Sequence, residues 1–100
     1  MFRGSTPTHE FELPISTENL QKVIITYAQD DVEIFRKTEE DCEIDGNMIR
    51  LQLSQRETLM FDWRIKLQIQ LKVLWKDGGV SLSDVIRKEV RKCLIEEVIQ

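Results

Sequence analysis

From Trp63 to Trp75 the chain alternates with period 2. Apolar residues occupy Trp63, Ile65, Leu67, Ile69, Leu71, Val73 and Trp75, with Arg64, Lys66, Gln68, Gln70, Lys72 and Leu74 between them. That spacing puts one set of side chains on one face of a strand, whereas a helix would scatter it around its axis. The alternation predicts a strand over 63–75 with both tryptophans in the buried row. At ~3.3 Å per residue it would run roughly 43 Å, longer than usual, so a bend, a bulge or an edge position is expected. Lys76-Asp77-Gly78-Gly79 follows. Its Asp-Gly and Gly-Gly pairs supply the positive φ of a tight hairpin, and Val80 and Leu82 open the returning strand.

The same pattern recurs earlier. Val23, Ile25 and Tyr27 alternate with Ile24, Thr26 and Ala28, then Gln29-Asp30-Asp31 reads as a turn before Val32 and Ile34. The β-branched content favours strand. A second hairpin is expected around Asp45-Gly46-Asn47, with Cys42 and Ile44 before it and Ile49, Leu51 and Leu53 after. His9 to Leu13 carries Phe11 and Leu13 at period 2, and Pro14 ends it. Ser54-Gln55-Arg56-Glu57 fits a capping box, predicting one helical turn anchored on the core by Leu59, Met60 and Phe61.

The C-terminal segment is ambiguous. Val85, Ile86, Val90, Cys93, Leu94 and Val98 share a face at helical spacing, and Ser83 is placed to cap. A strand with Ile86, Val90 and Leu94 inward leaves Lys88 and Lys92 on the same side. Local pattern favours a helix over 83–100; tertiary context can override it.

Composition adds bounds. One hundred residues, 41% hydrophobic and 32% charged, make one globular domain and exclude wholesale disorder. Acids outnumber bases 18 to 14, for a net charge of −4, where a free-standing nucleic-acid binder is more often basic. The N-terminus has no apolar secretory core and no run suffices for a membrane helix. Cys42 and Cys93 lack CxxC spacing and read as reduced, packed thiols.

No catalytic constellation emerges. The single histidine, His9, reads as a surface residue of an N-terminal stretch. Cys42 sits within Glu40-Asp41-Cys42-Glu43, where carboxylates raise a thiol's pKa, and Cys93 beside Arg91 and Lys92 reads as a core thiol. Asp41, Glu43, Asp45 and Asn47 alternate, but the glycine register and helical frame of a calcium loop are missing, so these charges read as a solvated hairpin. Arg64, Lys66 and Lys72 are expected on the solvated face of the long strand. Neither cofactor nor metal is expected, and the chain reads as non-enzymatic.

Several segments carry a resemblance. They are Lys22-Val23-Ile24-Ile25-Thr26-Tyr27-Ala28-Gln29, Glu40-Asp41-Cys42, Gly46-Asn47-Met48-Ile49, Leu53-Ser54-Gln55-Arg56-Glu57-Thr58, the long strand, and Lys92-Cys93-Leu94. Together, over residues 6–94, the chain resembles small structural proteins from phages and prophages of Gram-positive, Clostridia-like bacteria. It is also similar to the N-terminal domain of phage upper-baseplate proteins. The resemblance implies an immunoglobulin-like antiparallel β-sandwich with one short helical turn, a last strand at about 84–93, and a virion role in tail or baseplate. It carries over no catalytic residues.

The expected organisation is a flexible N-terminus (1–5), a sandwich (6–95) and a C-terminal tail (96–100). The expected function is a virion structural or assembly module, put together in the bacterial host cytoplasm. Its partners would be other phage structural proteins or a second copy, not nucleic acid or membrane. Leu94, Ile95, Val98 and Ile99 are the candidate partner contacts, the other reading being that they cover the chain's own core. The alternative function is a cytosolic ligand-binding or regulatory sandwich.

Overall fold

The computed structural model describes residues 1–100. Eight strands alternate with turns in the order the sequence pattern predicts. They are β1 (Thr8–Glu12), β2 (Leu20–Gln29), β3 (Val32–Thr38), β4 (Glu43–Asp45), β5 (Met48–Gln52), β6 (Leu67–Trp75), β7 (Val80–Leu82) and β8 (Ile86–Lys88), with one helical turn, α1 (Gln55–Thr58). They form two antiparallel sheets. One has the order β1-β5-β4; the other runs β3-β2-β6-β7, with β8 also pairing β6.

The period-2 rows explain the packing. Val23, Ile25 and Tyr27 of β2 and Leu67, Ile69, Leu71, Val73 and Trp75 of β6 point to one face. Phe11, Ile49 and Leu51 face them from the smaller sheet, and all join one apolar core. This is an all-β sandwich. Its strand order is that of an immunoglobulin-like sandwich without the first strand. β1, β5 and β4 take the B, E and D places, while β3, β2, β6 and β7–β8 take C′, C, F and G.

Turns match their residues. Asp30 and Asp31, joining β2 to β3, have φ of 51° and 61°, a left-handed pair that Asp tolerates better than most. Gln68 clamps this turn: its Oε1 accepts from the Asp31 amide at 2.8 Å and its Nε2 donates to the Asp31 carboxylate at 2.8 Å. Gly46, at φ 58°, makes the two-residue turn between β4 and β5. At α1 the capping box forms, with Ser54 Oγ accepting from the Glu57 amide and Glu57 Oε1 from the Ser54 amide.

Two expectations about the strands are corrected. The long strand starts at Leu67, not Trp63. Its neighbour β2 ends at Gln29, opposite Leu67, so 63–66 have no ladder to join. Instead the buried Gln29 side chain donates to the carbonyls of Asp62 and Ile65 and accepts from the Asp62 amide, folding 62–65 into a loop. Trp63 is 45% exposed with Lys92 Nζ 5.4 Å from its ring centroid. Arg64 and Lys66 therefore leave the sheet face. Of the three apolar residues after α1, Phe61 is buried while Met60 is exposed.

The second concerns the C-terminus. The last strand expected at about 84–93 is present but shorter, at Ile86–Lys88, with an isolated parallel bridge between Phe2 and Arg91; the helix that local pattern favours over 83–100 does not form. The edge is broken at Ser83. Its amide donates to the Leu71 carbonyl, but the Leu71 amide is met by Ser83 Oγ at 2.9 Å instead of a carbonyl. Gln70 Nε2 takes the displaced Ser83 carbonyl at 2.9 Å. The serine placed to cap a helix mends a sheet edge.

The N-terminal residues make hydrogen bonds to the rest of the chain. The Met1 ammonium donates to the Glu89 carbonyl, Arg3 and Arg91 amides donate to Arg91 and Met1 carbonyls, and Arg3 Nη2 donates to the Leu59 carbonyl.

Ser83→Ala should leave the Leu71 N–H unmet and cost about 1–2 kcal/mol. Urea unfolding would read the loss, with faster hydrogen exchange confined to the Leu71 neighbourhood.

Candidate functional site

The missing first strand leaves the sandwich open along one side. There the edges of β1 and β7 flank a cavity of about 490 Å³. Phe11, Leu13, Leu71, Val73 and Trp75 line it. These are core side chains, so its wall is apolar because the two sheets do not close over it. Ile86 faces inward opposite Ile69, yet remains 37% exposed on this open side.

Both rims carry unused backbone groups. The Leu53 amide donates to Pro7 and the Leu13 amide to Asn47, so the odd residues of β1 point their backbone at β5. By alternation the N–H and C=O groups of Thr8, Glu10 and Glu12 point out of the sheet edge. On the other rim, the Trp75 amide donates to Gly79 and the Ser83 amide to Leu71, so Val80 and Leu82 are the outward-directed positions. The β1 rim is acidic. Glu10 and Glu12 are exposed, and across the same outer face stand Glu43 and Asp45, with Arg50 alone between the rows.

A second surface lies where the termini meet. Arg3 pairs with Glu96 at 2.6 Å, while Gln55 Nε2 donates to the Ile99 carbonyl and Gln55 Oε1 accepts from the Ile99 amide. The tail is thus tied to Arg3 through the Glu96 side chain and to α1 through the Ile99 backbone, while Leu94, Ile95 and Ile99 face water. Leu94 is 92% exposed, Ile95 73% and Ile99 67%; Val98 is half-buried. These side chains do not cover the core. Phe2, also exposed, has Arg91 5.7 Å from its ring centroid. Arg64, Lys66, Arg91 and Lys92 lie at this end among Asp62, Glu89, Glu96 and Glu97, with Arg64 paired to Asp62 at 2.9 Å, so its charge is mixed.

Two groups differ from or refine the sequence reading. His9 is buried, and its Nδ1 shares a 2.7 Å hydrogen bond with the Tyr27 hydroxyl across the two sheets. This corrects the surface reading of His9; its position two residues before Phe11, in the row of Phe11 and Leu13, was the signal for burial. Burial, then the charges of Lys88 and the N-terminal ammonium, lower its pKa to about 4. Burial likewise raises that of Tyr27, with Cys42 and Glu57 adding to it. Both therefore stay neutral at pH 7. The Cys42 thiol is pushed up to about 11 by burial and then by Asp41 and Glu39, against Lys37. Burial alone would raise the Glu57 pKa, but its pairing with Lys37 and the Ser54 amide holds it below the usual value. Both cysteines are free thiols. No group of three or more His, Cys, Asp or Glu side chains is placed to hold a metal ion, and no helix is long and apolar enough to cross a membrane.

No protein-family model, curated protein or solved structure matches the chain.

The His9 pair sets a pH dependence. Above about pH 6.5 His9 is neutral whether folded or unfolded, and it costs nothing. Between 6.5 and about 4 only the unfolded chain takes up the proton, so stability falls with pH; below about 4 the loss is complete. After allowance for solvent screening the loss is about 1–3 kcal/mol. Urea midpoints at pH 7.5, 6, 5 and 4 should decline more steeply for the native chain than for His9→Gln. Parallel curves would show that His9 does not titrate differently on folding.

Proposed function

We propose that this chain is a non-enzymatic assembly module of a phage or prophage virion, associated with tail or baseplate and acting through protein–protein contacts. The observation that carries the binding reading is the C-terminal tail. A chain that merely closed its own core would turn Leu94, Ile95 and Ile99 inward, yet they stand exposed on a tail anchored by the Glu96 side chain to Arg3 and by the Ile99 backbone to Gln55. Apolar side chains held in place in water are prepared for a second surface, since little ordering entropy is left to lose on contact. The virion setting rests on the resemblance of residues 22–29, 40–42, 46–49, 53–58 and 92–94 to phage structural proteins.

The partner considered first is a second copy. The exposed Leu94, Ile95 and Ile99 of two copies would pack on one another, a self-complementary contact. Light-scattering mass should rise with concentration between micromolar and millimolar. Burying one such side chain is worth roughly 1.5–3 kcal/mol. Leu94→Ser with Ile95→Ser should therefore move the midpoint at least about tenfold. A strict monomer at every concentration would sink self-assembly.

A further inference from the structure

We infer that the open side of the sandwich is a receptor for one extended strand of another protein, whose residues alternate between apolar and Lys or Arg. The strand would add to the outer edge of β1. This deepens the assembly reading and rests on it.

Three features of the groove converge on that occupant. The first is hydrogen-bonding capacity. Thr8, Glu10 and Glu12 present backbone N–H and C=O groups that no ladder, turn or side chain takes up. A strand paired there would satisfy them all, as strand addition does at exposed sheet edges. The second is the wall. Every other residue of the incoming strand would point between the sheets, over Phe11, Leu13, Leu71 and Val73, and fill the cavity of about 490 Å³. The place is that of the absent first strand of the immunoglobulin-like order, so the added strand completes the sandwich. The third is charge. The alternate residues would lie beside Glu10 and Glu12 on the outer face, where cross-strand neighbours of opposite sign are favourable and of like sign unfavourable.

Charge and existing contacts tell against this chain's own segments. Two copies joined β1 to β1 about a two-fold axis through Glu10 would set Glu10 against Glu10. The C-terminal tail brings Glu96 and Glu97 and is tied to Gln55 and Arg3. Residues 1–3 are held along Glu89 and Arg91. The basic stretch Ile86–Lys88 is already held to β6, so the occupant is a basic, alternating strand from a different protein.

The probe is a capped nine-residue peptide of alternating Lys and Val, compared with its Glu/Val counterpart, titrated into the full chain and followed by amide chemical shifts and hydrogen exchange. The expected result is saturable binding of the Lys/Val peptide, with protection of the Thr8, Glu10 and Glu12 amides and shifts at the Trp75 indole. Glu10→Lys with Glu12→Lys should weaken it at least about tenfold and favour the Glu/Val peptide. Glu10→Pro removes an outward N–H that β5 does not use, a substitution edge strands tolerate, and should abolish binding while Glu10→Gln retains most of it. Unfolding midpoints confirm that each variant folds.

No saturable binding, binding without protection of the β1 amides, or binding indifferent to Glu10→Pro would overturn the inference. The last would also mark the groove as a small apolar-ligand pocket. These outcomes are separate from the light-scattering experiment, which reads the C-terminal tail. A monomer that binds the peptide leaves this inference standing, and a self-associating chain that ignores it overturns this inference alone.

Discussion

The antiparallel pairing of β2 with β6 is the constraint on which the rest depends. Nearly all of Leu20–Gln29 lies against Leu67–Trp75, with a register shift only between Leu20 and Lys22. Register decides which face each side chain takes, and a one-residue slip would put Lys22 and Lys72 inward. In the observed register Val23, Ile25 and Tyr27 align with Val73, Leu71 and Ile69, so two inward rows make one continuous wall. Every other element is placed by what that wall leaves uncovered. The smaller sheet covers most of it, Phe61 joins Tyr27 and Phe35 in an aromatic cluster, and Val90 packs beneath. What no element covers is the strip beside β1.

Polar groups inside the sandwich act as locks on that arrangement. A buried side chain that can hydrogen-bond must find a partner, and it thereby restricts where the partner sits. His9 reaches Tyr27 from the opposite sheet and holds the two layers in a single relative position. Gln29 ends the inward row of β2 and uses its amide to bend 62–65 away from the sheet. Ser83 repairs the break between β7 and β8. Each polar residue specifies a geometry that apolar packing would leave loose.

The surface shows a division of labour. The β1 side is acidic, open and apolar within; the termini form an end of mixed charge with projecting Leu94, Ile95 and Ile99. A monomer has no physical need for either feature, since a strand edge and projecting apolar side chains are liabilities in water. Both are of a kind used in binding, and they lie on different parts of the molecule.

The strands, hairpins and capped turn were legible because each is a local property. Period 2 in 23–27 and 67–75, Asp30-Asp31, Gly46, Gly78 and the Ser54–Glu57 pair act within a few residues. The four C-terminal apolar residues were also visible as candidates for contact. Where β6 begins was not legible: alternation continues to Trp63, but a strand needs a neighbour, and β2 runs out at Gln29. The burial of His9 depended on a hydroxyl eighteen residues away on another sheet. The C-terminal segment, helical by pattern, lies extended where β6 has an unpaired edge and Met1–Arg3 supply further backbone partners, because such hydrogen bonds outweigh a weak local preference. The groove has no motif at all. Its existence follows from which two edges the folded sandwich leaves apart. By itself, then, the sequence determined the strands, their inward faces and their turns; the tertiary structure alone decided where strands stop, which polar groups are buried, and which edge stays open.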